Sequence, residues 1–316
     1  MAHSVIYSSI YLTYIQCSLR QITAVPIPNL EYLDLYVDDD EAVPDIQLFD
    51  IHPPLLRHLR LHELPVNVVS KTVLRSLLTF SVTQGWDDRI GCYTVTEWLG
   101  ILVDLPALQH LVIESAIVRD TFTPSEALPM VHLDHLERLV IDGPFHETMT
   151  LINYLTIPSR CSFDFTMSHA IPGSDVRTLA TFLERNLSSW EEDPPFRSLV
   201  AQCSDYIITL TNQYMTSKKC ASPAKDDPLF HIKLFPPTMQ DSLSLFFSLF
   251  PVFSPAFPAT KTLILRGAPG VDVEGPYLAL VRNYFHLFFN SPHTRCPTRH
   301  RRVPPASPST SLVVHG

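Results

Sequence analysis

The chain has 316 residues, a formal net charge of −9 and a pI near 5.8, with 46% hydrophobic and 17% charged residues. This composition excludes a largely disordered chain, and the length suggests roughly one to three domains. The acidic balance also argues against a general nucleic-acid binder, which needs a basic surface. The six cysteines, at positions 17, 92, 161, 203, 220 and 296, contain no CxxC pair, so neither a structural zinc site nor a disulfide scaffold is indicated.

The N-terminus has no basic segment followed by an apolar stretch, so no signal peptide is predicted. The most apolar stretch, residues 243–257, contains serines and two prolines and is too short to span a bilayer well. We therefore expect an intracellular protein, in the cytoplasm, the nucleus or both, with its thiols reduced.

A recurring spacing of aliphatic residues dominates the first half of the chain: leucine, two residues, leucine, one residue, aliphatic. The first leucines of the five clear copies are 26, 21, 31 and 28 residues apart, close to the 20–29 residues of a leucine-rich repeat. Within each copy the last two apolar residues alternate with polar ones, which predicts a short strand. Stacked copies can bury a continuous apolar core that one strand alone cannot. The copies are "NLEYLDLYV" (29–37), "LLRHLRLHEL" (55–64), "SLLTFSVT" (76–83), "ALQHLVIESA" (107–116), "HLERLVIDGP" (135–144) and a degenerate "PSRCSFDF" (158–165).

Several segments between these strands have helical patterns. "TVTEWLGILVDLP" begins with Thr94 or Thr96 as a plausible N-cap, and "FHETMTLINYL" and "SDVRTLATFLERNL" place apolar residues at helical spacing. Strands that alternate with helices predict βα units and a parallel sheet. The predicted fold is therefore an α/β leucine-rich-repeat solenoid, a horseshoe with the parallel sheet on its concave face and helices or loops on its convex face.

The repeat is weaker in the second half. Strands are predicted at 205–211, 229–235 and 260–266, and helices at 239–250 and 277–289, which we interpret as divergent repeats continuing the stack. The basic run "RCPTRHRR" (295–302) lies in a Pro/Ser-rich end that we expect to be unstructured. The predicted organisation is a lead-in or cap at 1–20, leucine-rich repeats at 21–190, divergent repeats with loop insertions at 191–290 and a disordered tail at 291–316.

The segments "LEYLDL", "LLRHLRL", "LPALQHLVI" and "HLERLVIDG", followed by "LINYLTIPSRCSFDF", resemble fungal F-box-like proteins with C-terminal leucine-rich repeats. In that family an N-terminal F-box docks on the adaptor of a cullin–RING ubiquitin ligase, and the repeats hold a substrate. The resemblance implies that this chain carries the substrate-recognition repeats of such a receptor. An F-box opens with a Leu-Pro-x-Glu motif, whereas the nearest match here, Leu64–Pro65–Val66–Asn67, lies within the repeats and lacks the acidic residue. Binding of the ligase adaptor is therefore expected only if an F-box lies upstream.

Two alternatives stay open. The chain could be a stand-alone or truncated leucine-rich-repeat binding protein without a ligase role, or, less favoured, a metal-dependent enzyme. It has nine glycines and no GxGxxG, GxxxxGK[ST], GxSxG or HExxH motif, so we predict no catalytic residue, no cofactor and no bound metal. The histidine pairs at 58 and 62 and at 132 and 135 are interpreted as surface or edge residues.

If the second and third aliphatics of each copy point inward, the residues between them point to the concave face in three columns. The columns are Tyr32, His58, Thr79, His110 and Arg138; Asp34, Arg60, Ser81, Val112 and Val140; and Tyr36, His62, Thr83, Glu114 and Asp142. The mixture of both charge signs with aromatic rings suits a protein partner, and neither nucleic acid nor membrane. The candidate partner-binding residues are Tyr32, Asp34, Tyr36, His58, Arg60, His62, His110, Glu114, Arg138 and Asp142.

Overall fold

The protein is a mixed α/β chain with mostly parallel strands and few helices. It divides into two compact units, Met1–Cys161 and Ser162–Gly316. No helix within the described ranges is long and apolar enough to cross a membrane. The computed structural model describes residues 7–12, 29–37, 53–85, 92–119, 128–170, 173–188, 198–203, 207–212, 230–249, 262–267 and 311–315.

The first unit contains a sheet of six parallel strands that follow one another in chain order. These strands are β1 Tyr7–Leu12, β2 Tyr32–Val37, β3 His58–His62, β4 Thr79–Thr83, β5 His110–Glu114 and β7 Arg138–Pro144. Two short strands, β6 Val131–His132 and β8 Leu155–Thr156, form a separate parallel pair. The helices of this unit are α1 Lys71–Leu74, α2 Val95–Leu102 and α3 Phe145–Asn153.

The apolar residues of the repeat form ladders across this sheet, as the spacing predicts. The second and third aliphatics of the five copies lie in direct register and have at most 3% of their surface exposed. The first leucines, Leu30, Leu56, Leu77, Leu108 and Leu136, are buried with them. Each fully buried leucine contributes on the order of 1.5–3 kcal/mol through loss of water contact, so the ladders dominate the core. The two ladders are Leu33, Leu59, Phe80, Leu111 and Leu139, and Leu35, Leu61, Val82, Ile113 and Ile141.

The same backbone hydrogen bonds recur from one strand to the next. The carbonyl of Glu31 accepts two N–H groups of the next copy, from Arg57 at 2.9 Å and His58 at 3.0 Å. The carbonyls of Arg57, Leu78 and Gln109 each accept two N–H groups in the same way, at 2.7–3.0 Å. The chain therefore enters β3, β4, β5 and β7 with the same local backbone geometry. The copies share a backbone conformation as well as an amino-acid pattern.

Helix α2 fills the connection between β4 and β5, at the predicted place. Its N-cap is Thr94 and not Thr96: the Thr94 hydroxyl accepts from the Glu97 N–H at 3.3 Å, and the Glu97 carboxylate accepts from the Thr94 N–H at 2.8 Å. Such a capping box satisfies two N–H groups that the helix itself cannot pair. Trp98 on α2 is fully buried, and its indole N–H donates to the Ala116 carbonyl at 3.0 Å.

The second unit contains helices and strands at most of the predicted positions, but its strands do not pair in chain order. Its strands are β9 Ser162–Ser168, β10 Ser198–Cys203, β11 Ile208–Thr211, β12 Phe230–Phe235, β13 Thr262–Gly267 and β14 Ser311–His315, and its helices are α4 Ser174–Ser188 and α5 Met239–Leu249. Strand β9 pairs with β12 in parallel, and β10 with β13 in parallel, but β12–β11, β11–β10 and β13–β14 are antiparallel.

This order differs from the expectation that parallel repeats continue after residue 190. Only four residues separate Cys203 from Ile208, whereas a parallel crossover needs a dozen or more, so the chain must turn back there. Strand β14 also lies in a stretch that was expected to be disordered. The predicted helix at 277–289 and the basic run at 295–302 lie outside the described residues.

Candidate partner-binding surface

The outward residues of β2, β3, β4, β5 and β7 form one continuous surface, which we call the polar sheet face. The strand register places its fifteen residues in the three predicted columns, without a slip in any strand. Fourteen of the fifteen are partly or fully exposed, and Ser81 alone is buried. All ten candidate partner-binding residues therefore lie together on this face. The columns are the three given above, beginning at Tyr32, Asp34 and Tyr36.

Strands β2 and β3 contribute a set of ring and charge contacts. The imidazole of His62 lies 3.2 Å from the Asp34 carboxylate, measured from Nε2 to Oδ1, and its ring centroid is 6.2 Å from that of Tyr36. The Arg60 guanidinium carbon lies 5.6 Å from the centroid of the Tyr32 ring, which is close enough for a cation–π interaction. These contacts hold long side chains in fixed positions, so less side-chain entropy is lost when a partner binds.

Strand β4 presents only small hydroxyl residues to this face. The hydroxyl of Thr79 lies 2.9 Å from Nδ1 of His58, and the hydroxyl of Thr83 donates to Oε2 of Glu114 at 3.1 Å. Ser81, between them, makes no side-chain hydrogen bond with any described residue. The column pattern placed these three residues on the face, but the prediction did not select them as partner-binding. The available signal was their uniformly small size between two strands of larger residues.

Strands β5 and β7 carry a graded sequence of side chains along their length. His110 and Arg138 lie at the strand starts, Val112 and Val140 in the middle, and Glu114 and Asp142 at the strand ends, in pairs that are in register. The basic start is partly balanced by Glu137, whose carboxylate lies 3.6 Å from the His110 imidazole. The apolar centre is half-buried, so it offers a small dry contact between charged groups of both signs.

Burial and nearby charged groups both act on the imidazole of His58. Partial burial lowers the pKa of His58 below its usual value, and the nearby His110, Arg60 and Arg57 lower it further, while Glu31 acts in the opposite direction. Because loss of water is the largest cause, the lowered pKa reports mainly that this imidazole is partly desolvated, and the neighbouring charges add to that effect.

Among the residues that the structure describes, the remaining histidines and cysteines were checked for a metal or catalytic site. Within the described ranges, no group of three or more His, Cys, Asp or Glu residues is placed to hold a metal ion. His132 and His135 are both exposed, on β6 and in the turn that follows. Cys161 is buried, and burial raises its thiol pKa to about 12, far from the range of a reactive cysteine.

The chain was compared with protein-family models, curated proteins and solved structures. No family model, curated protein or solved structure matches it.

Proposed function

We propose that the chain is a protein-interaction module, a leucine-rich-repeat solenoid that holds a protein partner on its polar sheet face. The observation that carries the proposal is the unbroken register of five strands, with buried leucine ladders on one side and a two-signed, partly aromatic surface on the other. The recurring hydrogen bonds at the strand starts support the repeat interpretation.

The composition of the face favours a protein over a polyanion. Arg138 lies at the start of β7 and the carboxylates Glu114 and Asp142 at the ends of β5 and β7, so the face carries both signs within the length of one strand and offers no extended basic region to a phosphate backbone. Tyr32 and Tyr36 supply rigid apolar area with a polar tip, the kind of residue that is enriched in protein interfaces.

The dimensions of the face limit what it can bind alone. Four strand spacings of about 4.8 Å and four residues of about 3.3 Å give a surface of roughly 19 by 13 Å. This area of about 250 Å² is a third of the ~800 Å² that each partner contributes to a standard interface. The face therefore suits a short segment of a partner, or the centre of a larger contact that includes the flanking loops.

The resemblance to fungal F-box-like proteins extends this proposal. In that case the partner is a substrate of a ubiquitin ligase, and the protein acts in the cytoplasm or nucleus as a substrate receptor. The alternative is a stand-alone or truncated binding protein without a ligase role. Co-purification of the cullin-ligase adaptor with the full chain would support the receptor role, and recovery of other partners without the adaptor would leave only the binding module.

The binding proposal is tested by partner capture with matched variants. We would compare the wild-type chain, the face variant Tyr36→Ala/Arg138→Glu and the off-face variant Arg177→Glu by quantitative mass spectrometry of co-purified proteins. Arg177 is an exposed residue of α4, so its reversal controls for the change of net charge. We expect specific partners that the wild type and the off-face variant share and the face variant loses. Identical partner sets from all three would contradict the proposal.

A further inference from the structure

The outward residues of β4 form a row of small side chains between two rows of larger ones on the polar sheet face, and we call this row and its walls the groove. Thr79, Ser81 and Thr83 are smaller than most of their neighbours in register, which belong to β3 on one side and β5 on the other. Ser81 shows the effect of these walls: only 7% of its surface is exposed, although its register neighbours Arg60 and Val112 are exposed and half-buried. The wall residues are His58, Arg60 and His62 on β3, and His110, Val112 and Glu114 on β5.

Of the three outward residues of β4, the central one, Ser81, differs from the other two in its hydrogen bonding. Thr79 at one end is bonded to His58, and Thr83 at the other end is bonded to Glu114. The Ser81 hydroxyl has no partner among the described residues, although the residue is more than nine-tenths buried. The Ser81 oxygen is not among the fully buried polar atoms that lack a partner, so it remains open to the groove. The Ser81 hydroxyl is therefore available to a ligand that enters the groove.

Arg60 determines the charge that this ligand should carry. Its guanidinium group lies over the Tyr32 ring and forms no ion pair with a carboxylate in the described part of the chain. The nearest acidic residue in register, Asp34, is engaged by His62. Arg60 and Ser81 are in register on neighbouring strands, so a carboxylate above Ser81 lies within reach of the exposed Arg60 side chain once its guanidinium turns away from Tyr32. A carboxylate accepts several hydrogen bonds and pairs strongly with arginine.

We propose that this groove binds an acidic side chain of a protein partner, whose carboxylate accepts hydrogen bonds from the Ser81 hydroxyl and the Arg60 guanidinium. The stem of that side chain packs against Val112 on the opposite wall. An extended segment lying along β4 brings alternate residues about 6.7 Å apart over Thr79, Ser81 and Thr83. The proposal deepens the protein-binding function proposed above and rests on it.

The test starts from a random peptide library selected on the immobilised full-length chain. Enriched peptides would be synthesised with a fluorophore and titrated by anisotropy, each with its acidic residue retained or changed to the neutral amide. The chain would be used as wild type, Arg60→Gln, Ser81→Ala, Tyr36→Ala and, as a control of equal charge change outside the polar sheet face, Arg177→Gln. We expect the enriched peptides to share an Asp or Glu, and Arg60→Gln to weaken their binding by roughly tenfold or more, since a charge-assisted hydrogen bond contributes on that scale.

The decisive measurement is the coupling between Arg60→Gln in the protein and the change from acid to amide in the peptide. If the acid of the peptide contacts Arg60, its amide variant should bind Arg60→Gln no more weakly than it binds the wild type. Ser81→Ala should weaken binding several-fold while the urea midpoint of the chain stays the same, because the hydroxyl stabilises no internal contact. A lowered midpoint for Ser81→Ala, or additive effects in the cycle, would overturn the proposal.

Two further outcomes separate this proposal from the function on which it rests. Peptides that lose affinity with Tyr36→Ala but not with Arg60→Gln would overturn the carboxylate site and keep the polar sheet face as a binding surface. A selection that enriches no peptide sensitive to either change would count against both. A version of the peptide with phosphoserine in place of the acid tests the other anion: binding more than tenfold tighter would assign the groove to a phosphopeptide and overturn the carboxylate assignment.

Discussion

Replacement of Leu111 by alanine probes the ladders on which the first unit depends. Leu111 is fully buried at the centre of β5, between Phe80 and Leu139 in register. The change removes three carbon atoms, about 2.4 kcal/mol of burial at ~0.8 kcal/mol each, and leaves a cavity beside two large neighbours. We expect a loss of about 3–4 kcal/mol in the free energy of unfolding, within the range measured for buried leucines.

The assay is urea unfolding followed by far-UV circular dichroism, with Val112→Ala as the matched control. Val112 is the next residue on the same strand, but it faces the polar side and is half-buried. Its truncation should cost less than about 1 kcal/mol, whereas Leu111→Ala should lower the unfolding midpoint by roughly 1 M urea or more. Equal shifts for the two variants would refute the assignment of inward and outward residues across the whole sheet.

Three other measurements check separate features of the structure. Thr94→Ala should destabilise the chain by about 1 kcal/mol because it removes the capping box of α2, while Thr96→Ala, on the exposed side of the same helix, should change the unfolding free energy little. Because the pKa of His58 is lowered in the folded chain, the unfolded chain takes up a proton at this site more readily than the folded chain below pH 6.5. The free energy of unfolding should therefore fall as the pH drops from there through the folded pKa. Between pH 7 and pH 5, His58→Gln should lose less of this free energy than the wild type. With its pKa raised to about 12, Cys161 should resist iodoacetamide at pH 8 in the folded chain and react in urea, as peptide mass spectrometry would show, and rapid labelling in the folded chain would contradict its burial.

The sequence was sufficient to predict the strand register of the first unit. A two-residue alternation fixes which side chains share a face, and the leucine that precedes each strand fixes where the strand begins, so the columns from Tyr32 to Arg138 followed directly. Strand β1 was missed because "YSSIYL" contains no leucine at the spacing of the repeat. Strand β1 pairs with the free edge of β2, and this long-range contact cannot be recognised from the residues of β1 alone.

The second unit was harder to predict for a physical reason. Strands such as "FHIKLF" and "ITLT" alternate apolar and polar residues in the same way whether their neighbours are parallel or antiparallel. Direction is set by the length of the connection, and the four residues between β10 and β11 require a reversal. No strand was predicted at β10, so this short connection could not be recognised from the sequence. The burial of Ser81 was equally hidden, because it depends on the size of side chains on two other strands.

The order of strands in the first unit bears on how the protein reaches its folded state. Each strand of its six-stranded sheet pairs with the strand of that sheet made just before it, so Leu59 needs to find Leu33 across only 26 residues and Phe80 to find Leu59 across 21. In the second unit, Phe163 pairs with Phe230 across 67 residues, with other strands of the chain synthesised in between. Closing a longer loop costs more entropy, and contacts that are distant in sequence slow folding. We therefore expect the first unit to add its strands one after another, and the second unit to fold more slowly because β9 must pair with a strand far along the chain.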